Sequence, residues 1–150
     1  MKKPGMSLIV KRITKITVSL IFLFGVYIAL HGHLTPGGGF AGGVIIALSF
    51  IHVVLAFGKD VALKRINEKA ASIIESLGGL MFLGIALLGV MGGYFFLNVL
   101  SKGRPFDLFS SGIIILCNIA ILLKVGAGLF AIFIALAFFR MPQEDKEKKE

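Results

Sequence analysis

Four long apolar stretches, separated by short charged or glycine-rich segments, constrain the fold of this chain more than any other feature. Each stretch has about 18 residues or more, which is enough for a helix to cross roughly 30 Å of hydrocarbon. At 57% hydrophobic residues, the 150-residue chain also exceeds what the core of a soluble domain needs. We therefore predict an all-α integral membrane protein with four transmembrane helices, at residues 13–30, 40–57, 70–99 and 111–139.

The charged segments outside these spans complete the predicted organisation. Residues 1–142 are expected to form one four-span membrane domain. Residues 143–150 form a charged tail that has no apolar residue with which to build a core. Between the second and third spans, residues 59–69 are predicted to form a short surface helix.

The distribution of Lys and Arg predicts the orientation. Of the 16 Lys and Arg residues, 13 lie around the start of the first span, between the second and third spans, or after the fourth. Lys102 and Arg104 lie between the third and fourth spans, and Lys124 lies within the fourth. Because loops rich in Lys and Arg stay on the cytoplasmic side, both termini are predicted to be cytoplasmic, in a protein of the cell membrane.

Composition argues against two other classes of site. The net charge of +8 does not indicate nucleic-acid binding, because the basic residues flank apolar spans and form no amphipathic or aromatic-interleaved surface. The single cysteine, Cys117, lies in an apolar run, so an intrachain disulfide and a Cys-based metal or iron–sulfur site are excluded. We predict that Cys117 packs as a small buried residue and that the chain holds no cofactor or metal.

The segment between the first and second spans is the most specific feature of the sequence. A helix cannot continue through Pro36 and the three glycines that follow it. Pro36 fixes one backbone angle while the glycines tolerate positive φ, so we predict a tight reversal at the membrane surface that leaves room for a neighbouring subunit. A phosphate loop is not indicated, because no Gly-Lys-Ser/Thr sequence follows. The motif consists of His33, Pro36, Gly37, Gly38, Gly39, Phe40, Gly42 and Gly43.

On this motif, written Gly-His-x-x-Pro-Gly-Gly-Gly-Phe-x-Gly-Gly from Gly32 to Gly43, the chain resembles the MnhB/MrpB-like subunits of the multisubunit Mrp-type Na⁺/H⁺ antiporters. The likeness covers nearly the whole chain. It implies partnership with large antiporter-like subunits, which contain the channels for Na⁺ and H⁺, and with other small membrane subunits. Similar subunits in the membrane arms of archaeal ferredoxin-dependent hydrogenases and sulfur-reducing complexes leave a second setting open.

Three ionisable residues within the spans need an explanation, because a charged side chain in a span costs roughly 2.5–3.5 kcal/mol on insertion scales. They are candidates for an ion or proton path: Lys124, Glu75 and His52. Rise per residue places Glu75 and His52 at a similar depth, about 7 Å from the cytoplasmic boundary, and Lys124 about 20 Å from it. We therefore expect Glu75 to meet His52, and Lys124 to find a partner elsewhere, on a backbone carbonyl, water or another subunit.

Each of these residues also has a purely structural interpretation. Glu75 is placed to extend its carboxylate towards the interface, and His52 to make one hydrogen bond between helices. Lys124 is placed to form an ion pair across a subunit contact. His31 and His33, at the outer surface and far in sequence from acidic residues, are expected to anchor the loop and not to ligate metal.

Small residues recur on one face of the third and fourth spans. In the third span, Ser72, Gly79, Ala86 and Gly93 are spaced seven apart, and in the fourth, Ala120, Lys124 and Gly128 are spaced four apart. Such faces let helix backbones approach closely. They serve contacts among the four helices or contacts with other subunits.

Two further functions are alternatives to an accessory, non-catalytic subunit of a cation/proton antiporter module. A small membrane enzyme needs convergent catalytic groups, and the sequence offers no nucleophile with a paired base and no pair of carboxylates. An independent channel is disfavoured, because four short spans with one lysine and one glutamate make a poor pore unless they oligomerise. The ions that pass near this subunit, and its stoichiometry, are left open by the sequence.

Overall fold

A computed structural model describes residues 5–58, 68–100 and 103–139 of the chain. This part of the chain contains four helices and no strand: α1 (Leu8–Leu30), α2 (Gly38–Phe57), α3 (Glu68–Met91) and α4 (Ile113–Phe139). All four are long and apolar enough to cross a membrane, which confirms the prediction of an all-α multi-pass membrane protein. The predicted surface helix at 59–69 lies mostly outside the described residues, as does the charged tail at 143–150.

The first helix begins at Leu8, five residues before the predicted start of the span. Ser7 caps it, because its hydroxyl oxygen accepts a hydrogen bond from the backbone N–H of Val10 at 3.4 Å. Lys11 and Lys15 therefore lie on the first turns of α1 and not in a loop before it. Hydropathy marks where a helix can be in hydrocarbon, while capping decides where the helix begins.

The third helix ends at Met91, so the predicted end of that span at Val99 is wrong. Gly93 adopts φ +106°, a conformation that ends helices and that residues other than glycine avoid. The chain then turns back, and the backbone N–H of Phe96 donates to the carbonyl of Ala86 at 3.3 Å. The segment from Tyr94 to Leu97 is as apolar as the helix, which is why hydropathy alone missed the end.

The helices form a row in the order α1, α2, α4, α3, in which each packs extensively on the next. The two central helices, α2 and α4, run in the same direction, because Gly39 packs against Asn118 near one end and Phe50 against Phe130 towards the other. The outer helices, α1 and α3, run antiparallel to them. Contacts between α1 and α4 are few.

The core lies where α2, α3 and α4 meet. Its buried members are Val54, Ala71, Phe130 and Ile134. Phe50 joins α1 to this core, because its ring packs edge-on against Phe22 and Phe130, with 6.0 Å between ring centroids in both pairs.

Glycines bring the helix backbones close together at the α1–α2 and α3–α4 seams. A Cβ at Gly42 would lie 2.7 Å from the carbonyl oxygen of Gly25. At the α3–α4 seam, a Cβ at Gly78 would lie 2.8 Å from the carbonyl of Ala120 and 2.7 Å from the amide of Lys124. No larger residue fits at either crossing without a shift of the backbone.

The predicted small-residue face is confirmed on α4 and only partly correct on α3. Ala120 is fully buried and its carbonyl lies against Gly78 of α3, so at this residue the face serves contact among the four helices. On α3, however, Gly78 makes the backbone contact, while Ser72 is exposed and Gly93 lies beyond the helix. Small residues also stand one position earlier, at Ala71 and Gly78, and spacing alone does not choose between the two faces.

Candidate functional site

An ion pair joins α3 and α4 within the membrane-spanning part of the chain. Nζ of Lys124 lies 3.5 Å from Oε1 of Glu75, so the prediction that Lys124 does not reach Glu75 and finds its partner elsewhere is wrong. The two side chains are 55% and 40% exposed, respectively. The separation is longer than the roughly 2.7–2.9 Å of a tight charge-assisted hydrogen bond, so both groups retain capacity for further partners.

The predicted depth of Lys124 was wrong because it was counted from the end of α4, and this helix is longer than the hydrocarbon core of the membrane is thick. With 27 residues, α4 is about 40 Å long and exceeds the hydrocarbon thickness. The contacts with α3 set the real level: Gly78 lies against Lys124, and Glu75 lies against Gly128. Lys124 is thus level with Gly78, and Glu75 is three residues, or about 4.5 Å, away along α3. A lysine side chain readily spans that distance.

Glycines on both helices make room for the pair. A Cβ at Gly79 would lie 3.6 Å from Nζ of Lys124, and a Cβ at Gly128 would lie 3.5 Å from the carboxyl carbon of Glu75. Each charged group therefore rests over a glycine of the opposite helix. Larger side chains at either glycine would press on the pair.

The predicted contact between His52 and Glu75 is not present in the structure. Nε2 of His52 lies 3.3 Å from Oγ1 of Thr14, which is buried on α1. Glu75 is instead engaged with α4, which stands between α2 and α3 in the row of helices. Similar depth in two spans does not imply contact, because the order of the helices decides which spans are neighbours. His52 thus occupies the helix-packing role that was its structural interpretation.

The glycine motif makes the predicted reversal between α1 and α2. Gly37 and Gly38 have φ values of +142° and +77°. Gly39 needs the absence of a side chain for another reason, since a Cβ there would collide with the backbone of Asn118. Gly43 lies against Leu122 and Val125, so the motif continues as the contact face of α2 on α4. Phe40, by contrast, is 64% exposed.

Histidines anchor this loop, as predicted. The carbonyl oxygen of Asp107, in the loop between α3 and α4, lies 3.3 Å from Nε2 of His33. His31 ends α1: its ring stacks on Tyr27, with 4.1 Å between centroids, and its backbone N–H donates to the Tyr27 carbonyl at 3.0 Å. Thr35 completes the turn by donating its hydroxyl to the carbonyl of His31 at 3.2 Å.

Asn118 is a site residue that the sequence analysis did not identify. Its Oδ1 accepts a hydrogen bond from the N–H of Gly39 at 3.3 Å and so holds the start of α2 to α4. Within residues 5–58, 68–100 and 103–139, its buried Nδ2 has no partner, and the same holds for Nδ1 of His33 and Oγ of Ser111. A lone amide within an apolar span was the signal that could have found it.

The described part of the chain contains no group of three or more His, Cys, Asp or Glu residues placed to hold a metal ion. The candidate functional features in these residues are the Glu75–Lys124 ion pair on one side of the row and the glycine loop with Asn118 and His33 at one end.

The chain is similar to known proteins over most of its length. Residues 9–131 match a family described as a domain related to the MnhB subunit of the Na⁺/H⁺ antiporter. An uncharacterized protein of Methanocaldococcus jannaschii is 39% identical over 117 residues, which cover 73% of this chain and 44% of that protein. The putative antiporter subunit mnhB2 of Staphylococcus epidermidis is 44% identical over 71 residues, which cover 46% of this chain and 50% of the relative.

A solved structure shares the fold. The match is to a chain of the membrane-bound sulfane sulfur reductase, described as an archaeal respiratory membrane complex, with a TM-score of 0.75 and 33% identity. It covers 89% of this chain and 59% of the other. The chain thus spans about half the length of the relatives that it matches in sequence.

Proposed function

This chain belongs to the family of domains related to the MnhB subunit of the Na⁺/H⁺ antiporter, and we propose that it is a non-catalytic membrane subunit of a multisubunit cation/proton antiporter module. In this role it contacts large antiporter-like subunits and other small subunits, and it supports the assembly of the module and the movement of Na⁺ and H⁺ through it.

The observation that carries this proposal is the half-exposed ion pair of Glu75 and Lys124. Charged side chains within a span cost roughly 2.5–3.5 kcal/mol each when they face lipid. Pairing offsets only part of this cost, because Lys124 is 55% exposed and reaches Glu75 at 3.5 Å. A polar surface of a neighbouring subunit that covers the pair removes it from lipid. The pair then lies at a subunit contact, where its two ionisable side chains line a route for cations or protons.

The loop motif supports the same role. The backbone reverses at Gly37 and Gly38, and beside it Phe40 is 64% exposed. An exposed aromatic residue next to a loop built of glycine is well suited to pack against another subunit. His52 has a packing role in this proposal, because its ring nitrogen is engaged with Thr14.

A second setting is favoured by the solved structure, whose fold this chain shares over 89% of its length. There the same kind of subunit would serve the ion-pumping arm of a respiratory complex instead of an independent antiporter. The subunits that copurify decide between the two settings. Iron–sulfur and nickel subunits indicate a hydrogenase-type complex, and a sulfur-reducing subunit indicates a reductase. If no redox subunit copurifies, the assembly is an independent antiporter.

The test is to purify the native assembly through a tag on this chain and to reconstitute both the assembly and the single chain in vesicles. We expect cation/proton exchange from the assembly and none from the single chain. Antiport by the purified single chain would overturn the accessory role, as would recovery of the chain from native membranes without any other subunit.

A further inference from the structure

An apolar groove of about 440 Å³ runs along one face of the row of helices. Side chains from all four helices line it, with Phe22 on α1 and Ile74 on α3 forming opposite walls. Phe50 and Phe130, from the two central helices, lie between these walls. Neither Glu75 nor Lys124 lines the groove, so it is distinct from the ion pair.

The size of the groove favours a chain-like occupant. A transmembrane helix is about 10–12 Å across and about 30 Å long, so it exceeds this volume several-fold. Volumes of about 300–1,000 Å³ are typical of sites for small molecules. One hydrocarbon chain fits the dimensions and the apolar lining, whereas a transmembrane helix is too wide to lie within the groove.

A cationic stripe continues the groove beyond one end. On α1, Lys15 lies seven residues before Phe22 and eleven before Val26, and both of these line the groove. At 3.6 residues per turn, these spacings place Lys15 on the same face of the helix, about 10 Å before Phe22 along the axis. Lys11, one turn earlier, falls on this face as well. Lys15 is exposed.

The stripe lies at the end of the row where the groove reaches the start of α3. The groove reaches Ala70 and Ala71 on the first turn of α3, and α1 and α3 run in the same direction. The first turns of both helices, with Lys11 and Lys15 on α1, therefore lie at the same end of the row. A molecule with an apolar chain in the groove would place its polar head beside these lysines.

We propose that this groove is a binding site for an anionic phospholipid, with one acyl chain between α1 and α3 and the phosphate headgroup at Lys15. Within a bilayer, transfer from water no longer drives an acyl chain into the groove, because the chain is already in hydrocarbon. Selectivity therefore comes from the headgroup. The attraction of one lysine for an anionic headgroup corresponds to a roughly five-fold preference over a zwitterionic one.

The test uses the purified full chain and native mass spectrometry, with phosphatidylglycerol and phosphatidylcholine of identical acyl chains as probes. We expect the protein to retain phosphatidylglycerol about five-fold more than phosphatidylcholine. Lys15→Gln should abolish the preference, and Lys15→Arg should keep it. Arg104→Gln is the matched control, because it removes the same charge at an exposed position at the opposite end of the row and should leave the preference intact.

A second pair of variants tests the groove itself. Ala127→Phe fills it, since Ala127 is part of the lining, and should reduce retention of both lipids. Ala135→Phe makes the same change at an exposed position of α4 outside the groove and should leave the retention of both lipids unchanged. Equal retention of the two lipids by the unmodified protein, or unchanged retention in Ala127→Phe, would overturn the proposal and leave only non-selective boundary lipid.

A photoreactive residue introduced at position 74 in the native assembly shows whether lipid or a segment of another subunit occupies the groove. Ile74 lines the groove and is 39% exposed. Irradiation should attach lipid to this position. Attachment of another subunit as the main product would show that a protein segment fills the groove and would also overturn the proposal.

Discussion

Lys124 on α4 reaches Glu75 on α3 at 3.5 Å, on a part of the surface that the apolar groove does not include. The row of helices thus presents two chemically different surfaces within the membrane. One is an uninterrupted apolar groove suited to lipid, and the other carries two charges that lipid does not tolerate well. The polar surface is the one on which we expect the neighbouring subunit.

The first prediction separates a structural from a transport role of this pair. Lys124→Ala leaves the Glu75 carboxylate without its partner, which costs about 3–5 kcal/mol once a neighbouring subunit has buried the site. We expect a smaller assembly on native gels and lower transport in the same preparation. Lys124→Arg, which keeps the charge in a different shape, should retain the assembly and part of the transport.

A double variant completes this test. Glu75→Gln with Lys124→Met removes both charges, so no unpaired charge remains, and the assembly should recover. Transport should stay low if the charges lie on the ion or proton route. Arg104→Ala, which removes an exposed charge outside the helices, is the control and should change neither property. Full transport by an intact assembly in Lys124→Ala contradicts both roles.

The second prediction concerns the glycine loop. Gly38 has φ +77°, a conformation that costs a β-branched residue on the order of 1–3 kcal/mol. Gly38→Val should therefore lower the melting temperature of the purified chain and impair assembly more than it impairs insertion into the membrane. Gly84→Val is the matched control, because a Cβ at Gly84 meets nothing within 4 Å.

If neither Gly38→Val nor Gly84→Val impairs assembly or lowers the melting temperature, the loop is only a connector and its backbone conformation is not required. If both variants impair assembly equally, the effect belongs to β-branching in general and not to the loop.

The sequence predicted those features that depend on one helix or one turn at a time. Four spans follow from apolar length, and the reversal at Gly37 and Gly38 follows from the freedom of glycine. The end of α3 was misplaced because Tyr94 to Leu97 are apolar, although the glycine pair at 92–93 carried the stop signal.

Features that depend on which helices are neighbours were beyond the sequence. Depth along each span gave His52 and Glu75 as partners, yet α4 lies between their helices and pairs with Glu75 through Lys124. The bond from Gly39 to Asn118 joins residues 79 positions apart, and no local pattern signals it. Order and relative height of helices are set by small-residue crossings such as Gly78 on Ala120.

The third prediction tests the packing role of His52. Its contact with Thr14 at 3.3 Å should contribute about 0.5–1.5 kcal/mol to stability. In a double-mutant cycle, the loss of stability in the Thr14→Val, His52→Leu double variant should therefore be smaller than the sum of the losses in the two single variants. Transport by the assembled complex should be unchanged in Thr14→Val. Additive losses would show that the two side chains do not interact, and lost transport in Thr14→Val would return His52 to the ion route.

The fourth prediction concerns orientation, which the charge distribution predicts. With 13 of 16 Lys and Arg residues on one side of the spans, the loop between α1 and α2 should face outward and the segment after α4 should face the cytoplasm. Thr35 is exposed in that loop, so Thr35→Cys in a Cys117→Ala background should react in whole cells with an impermeant thiol reagent. Glu147→Cys in the same background should react only after the membrane is permeabilised. Cys117→Ala alone is the control for labelling of other thiols, and the reverse pattern of reactivity would show that the chain is inserted the other way round.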